Sequence, residues 1–127
     1  MKKQVEAWIK FAEKDMLTVS EIIENPNLTN IVAFHCQQAI EKYFKAFIIE
    51  NGKSPARNHN LLALYGVIKE ITDLNINEDL LSTVNDIYLE SRYPGEIGLL
   101  DYWMMVQCPP LSKPVNSLFL LKKLRQK

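Results

Sequence analysis

The sequence predicts an all-α protein, an antiparallel up-and-down bundle of four to five helices, on three observations. Apolar residues recur at three- and four-residue steps over four separate stretches, no stretch alternates with a period of two between hairpin turns, and the connections are short. At 127 residues the chain has the length of one domain, and with 47% apolar residues it can enclose one core without staples or metals.

The first helix is expected from Lys3 to about Asn25. Val5, Trp8, Ile9, Ala12, Met16, Val19, Ile22 and Ile23 form its apolar stripe, Lys10, Glu13, Lys14 and Glu21 fall between them, and Asn25-Pro26 closes it. A second helix should run from an N-cap at Thr29 or Asn30 to Asn51-Gly52, where glycine supplies a left-handed stop. It is apolar over more than one stripe (Ile31, Phe34, Ala39, Ile40, Phe44, Phe47, Ile48), which predicts a central position. Lys53 to Asn60, containing Pro55, reads as a loop. A third helix follows on Leu61, Leu62, Leu64, Tyr65, Ile68 and Ile71, and a fourth spans Asn77 or Glu78 to Glu90 with Leu80, Leu81, Val84, Ile87, Tyr88 and Leu89. Residues 1–99 are thus the bundle. Residues 100–127 are an atypical tail of three prolines, the bulky Tyr102-Trp103-Met104-Met105-Val106 patch and a short basic end.

Lysine plus arginine equals aspartate plus glutamate, 15 against 15, so no net field gathers phosphate backbones and any nucleic-acid contact must be local. No apolar run reaches the length of a membrane span, and Met1-Lys2-Lys3 leads into an amphipathic pattern rather than a signal-peptide hydrophobic region, so the expected location is the cytoplasm. Cys36 and Cys108 lack any C-x-x-C spacing, and reduced, structural cysteines are expected.

The densest chemistry lies between Ala33 and Gly52. His35 and Cys36 are neighbours, about a hundred degrees apart on a helix, and cannot chelate one ion, so neither a metal nor a cofactor is expected. Glu41 and Lys45 stand in the favourable order for a surface ion pair, and Gln38, among apolar neighbours, is expected to be partly buried and hydrogen-bonded. In Arg57-Asn58-His59-Asn60, either asparagine can cap the third helix. His59 can then hydrogen-bond while neutral and act as a general base if a substrate approaches, or be a structural turn histidine. Arg92, closing the fourth helix, suits either the carbonyl end of that helix or a phosphate. No nucleotide-binding glycine loop, G-x-S-x-G or H-E-x-x-H is present.

Trp8, Ala12 and Asp15, then Cys36-Gln37-Gln38-Ala39-Ile40-Glu41-Lys42 with Lys45-Ala46, then Pro55, His59 and Leu61, then Ser91-Arg92-Tyr93-Pro94, together resemble the HEPN domain family (higher eukaryotes and prokaryotes nucleotide-binding), in its Arg-Tyr-Pro branch. The resemblance covers about Val5 to Leu100. It implies a helical bundle that pairs as a homodimer, in prokaryotes commonly beside a minimal nucleotidyltransferase as toxin and antitoxin. It also implies, in many members, metal-independent RNA cleavage by an R-x(4–6)-H pair. Here the places for that histidine hold Ile97, Gly98 and Leu99, so a general acid–base is missing and His59 would have to substitute from another loop.

The reading that follows is a nucleotide-, RNA- or partner-binding module, with a metal-independent ribonuclease toxin and a structural helical adaptor as alternatives. Catalytic candidates are Arg92 and His59; ligand or phosphate contacts are Arg92, Tyr93, His59 and Lys42; the partner or dimer interface is Gln37, Gln38 and Glu41. The branch continues with an acidic-glycine turn and a last helix, and shifting the codon phase by two bases from Tyr102 forces Leu-Asp-Asp-Gly. A frameshifted reading from about Leu100 or Asp101 is therefore the hypothesis for the tail, set against a divergent tail.

Overall fold

The apolar spacing of the first stretch does produce a helix. In the computed structural model, which describes residues 3–55, 57 and 59–90, α1 runs Lys3–Ile22 and buries Val5, Ala12, Asp15 and Val19 on one stripe. It ends earlier than Asn25. A short 3-10 turn, Pro26–Leu28, takes over, because Pro26 cannot donate into a continuing helix and the Asn25 side chain accepts from the Asn27 amide at 3.0 Å.

The second helix, α2 (Thr29–Glu50), starts without the side-chain cap expected at Thr29 or Asn30. Leu28 occupies the capping position and makes no such bond, the 3-10 turn leading directly into the helix. Its far end follows expectation. Asn51 is the C-cap and Gly52 adopts φ 78, while Lys53 N–H donates to Ile48 carbonyl at 3.1 Å and Gly52 N–H to Ile49 carbonyl at 3.0 Å. Those two bonds are a Schellman closure, which needs a residue at ease with positive φ. It also turns the chain sharply enough to set Lys53 beside the end of α2.

Helix α3 (Leu61–Ile71) is capped by Asn60, whose side chain accepts from Leu62 N–H at 2.9 Å and Ala63 N–H at 3.3 Å. Its Leu61 N–H donates to the Asn85 side chain of α4 (Glu78–Glu90) at 2.9 Å, tying the two helices at one end. At the other end Tyr65 hydroxyl donates to Leu74 carbonyl and accepts from Ile76 N–H. The loop carrying Arg57 and His59 therefore enters a firmly held helix start.

Helix α2 touches α1, α3 and α4 and is buried on several sides, as its apolar breadth required. Phe44, Ile40 and Ile48 are fully buried, and the Phe44 and Tyr65 rings stack at 6.4 Å between centroids. Among the described residues there are four α-helices and no strand, and no helix is long and apolar enough to cross a membrane. The expectation of reduced cysteines is corrected at Cys36, which is fully buried and disulfide-bonded. Spacing rules detect only motif-like pairs, and Cys36 has no other cysteine near it in the sequence. The Ser91-Arg92-Tyr93-Pro94 segment, Cys108 and the tail of residues 100–127 lie outside the described residues.

Burial pushes the phenol of Tyr43 on α2 up from its ordinary 10 to about 12, with the Glu13 carboxylate of α1 adding to the rise. A raised pKa in the fold means a contribution fully present below pH 10 and lost as pH climbs through about 12. Tyr43→Phe is expected to flatten the loss of far-UV circular dichroism over that alkaline window. An unchanged alkaline transition would show that Tyr43 does not govern it.

Candidate functional site

The charged and aromatic groups converge on the seam between α1 and α2, where two buried carboxylates organise them. Asp15 of α1 is held by His35 Nδ1 at 2.8 Å and by Lys42 Nζ. Glu41 of α2 is reached by Gln37 Nε2 at 3.3 Å, Lys45 Nζ at 3.1 Å and His59 Nδ1 at 3.1 Å. An ionised carboxylate only accepts, so each histidine presents its Nδ1–H to its partner. Trp8 pairs with Lys45, Phe11 with Lys42 and Asp15 with His35, so α1 and α2 run in opposite directions along this seam.

The Glu41–Lys45 pair is not on the surface as expected. Its side chains are 6% and 8% exposed, since α2 is packed on that side too. Burying both charges is tolerable because Glu41 gains the Gln37 amide and His59 in addition to the ammonium. Gln38 is half-buried and donates to Gln37 Oε1 at 2.8 Å, as its apolar surroundings predicted.

Beside this network an open cleft of about 620 Å³ lies between the start of α1 and the end of α2. It is lined by Gln4 and Trp8 of α1, Lys45 and Ile49 of α2, and the loop residues Lys53, Arg57 and His59. The His59 side chain is 70% exposed although its Nδ1 is tied to Glu41, which leaves Nε2 available. Arg57 is exposed and has no ionic or hydrogen-bonding partner among the described residues. Lys53 reaches Glu70 at 3.4 Å, but both are exposed, so that pair holds it only weakly. The cleft thus offers an aromatic residue, a guanidinium without a carboxylate partner among the described residues, a releasable ammonium and an oriented imidazole.

Of the residues expected at a ligand, His59 lines the cleft, while Lys42 lies outside it with its charge engaged by Asp15. Gln37 and Glu41, expected at a partner interface, are buried and present almost no surface; Gln38 retains some. Arg92 and Tyr93 lie outside the described residues. Trp8, Lys53 and Arg57 carry no motif that marks them as ligand contacts in the sequence. Arg57 was the findable one, a guanidinium two positions before a candidate histidine in a proline-containing loop. No group of three or more His, Cys, Asp or Glu side chains among the described residues is placed to hold a metal ion.

Residues 5–101 match a family model described as HEPN domain. No curated protein and no solved structure matches the chain.

Proposed function

Because the chain belongs to the HEPN domain family, we propose that it is a nucleotide-binding module whose ligand enters the cleft between α1, α2 and the loop before α3. The observation that carries this is that Arg57, without an ionic partner among the described residues, lines the same cleft as Trp8. A guanidinium can take two phosphate oxygens at once, and an indole face can take a base. Lys53 can leave its exposed partner for a second phosphate.

In an isothermal titration with ADP, the native chain is expected to bind saturably and Arg57→Ala about tenfold more weakly, the effect of losing a charge-assisted hydrogen bond. Equal affinity in the two proteins, or no binding by the native one, would reject the reading.

A metal-independent ribonuclease is the second reading, supported by one observation. His59 is oriented through Nδ1 by a buried carboxylate and lines the cleft that Arg57 also lines, an arrangement suited to proton transfer near a bound phosphate. RNA cleavage in the presence of a chelator, abolished by His59→Ala, would favour it. The homodimer and the minimal nucleotidyltransferase partner in a toxin–antitoxin pair belong to the proposal through the family resemblance. Of the three expected interface residues, Gln38 has the surface to take part.

A further inference from the structure

We propose that the cleft is one end of a longer site for single-stranded nucleic acid, with a second base-stacking position at Phe11. The inference rests on the nucleotide reading of the cleft and extends it along α1.

Phe11 is 53% exposed, and a lone exposed phenylalanine would mean little. Its register is what sets it apart. Trp8 and Phe11 are three residues apart on α1, so they are neighbours on the helix surface, offset by about 4.5 Å along the axis. Lys45 and Lys42 repeat the same spacing on α2, with Lys45 Nζ 5.7 Å from the Trp8 ring and Lys42 Nζ 5.9 Å from the Phe11 ring. Two aromatic–lysine pairs therefore stand side by side, the inner one in the cleft and the outer one on open surface.

The charges fit this use. Glu41 holds Lys45 and Asp15 holds Lys42, which position those ammoniums but neutralise them. Among the described cations without a carboxylate partner, two stand beside this row of rings: Arg57 in the cleft, and exposed Lys14, 5.7 Å from the Phe11 ring. Rings with phosphate contacts beside them suit a strand whose bases are unpaired, since stacking on a side chain needs a bare π face. A duplex hides those faces, and a mononucleotide reaches only the inner ring.

The test titrates the full chain with AMP, the dinucleotide pApA, hexa-adenylate, the same hexamer in a duplex, and tripolyphosphate. Expected is a pApA affinity about tenfold above that of AMP, one added stacking contact. Phe11→Ala should remove that gain and leave AMP binding unchanged, with far-UV circular dichroism confirming the fold. Equal affinities for AMP and pApA, indifference to Phe11→Ala, or competition by duplex or tripolyphosphate as strong as by the hexamer would each overturn the extension. If AMP binds through Arg57 while pApA gains nothing, only the extension falls. If neither binds the native chain, the cleft reading falls with it.

Discussion

Glu41→Ala is expected to destabilise the protein by about 3–5 kcal/mol, the cost of leaving a buried cation without its partner. Lys45, whose side chain is 8% exposed, would lose its carboxylate, and the Gln37 amide its acceptor. The loss should be largely recovered by the double change Glu41→Leu with Lys45→Met, because an apolar pair of similar volume removes both desolvation costs. Urea denaturation of the three proteins decides between charge and shape. If the double variant were as unstable as Glu41→Ala, packing at this place on α2 would be the cause. His59 gives a second readout: Glu41 is the partner of its Nδ1 among the described residues, so nucleotide binding at the cleft should weaken in the Glu41 variant even where the fold survives.

Phe44→Ala is expected to cost about 3–5 kcal/mol as well, by a different mechanism. Phe44 is fully buried at the centre of α2 and stacks on Tyr65 of α3. Truncation removes the ring from the place where α2 meets α3 and leaves a cavity that the surrounding helices can close only in part. Phe44→Leu retains most of the volume and should lose much less. A cost below about 1 kcal/mol for the alanine variant, far under the usual range for a buried ring, would mean that the helices close over the gap, and that the contact between α2 and α3 is less specific than the stacked rings indicate.

Much of the helical frame was legible because its causes are local. The three- and four-residue apolar steps of α1, α3 and α4 match the helical repeat, and the breadth of apolar residues on α2 foretold burial on several sides. Asn51-Gly52 and Asn60 announced a stop and a start that the backbone then made. Local reasoning failed where a neighbour decided the outcome. Glu41 and Lys45 have a spacing that suits exposed ion pairs, and nothing within a turn of helix reveals that other elements cover them. Asp15 gave a warning that could have been followed: a carboxylate on the stripe of Val5, Ala12 and Val19 must find partners. Which partners was not written beside it.

Local patterns were enough for the all-helical make-up of the described residues, the approximate bounds of their helices, the central place of α2 and the family resemblance that the match over residues 5–101 upheld. The packing of the helices settled that His35 and Lys42 share Asp15, that His59 reaches Glu41, and that Trp8 and Arg57 line one cleft. The reason is one of range. Helix periodicity and capping act over a few residues, whereas Asp15 and Lys42 are 27 positions apart and Glu41 and His59 are 18 apart. Such pairs exist only in the register in which α1 lies against α2 and in the turn that the Gly52 closure imposes on the chain between α2 and α3.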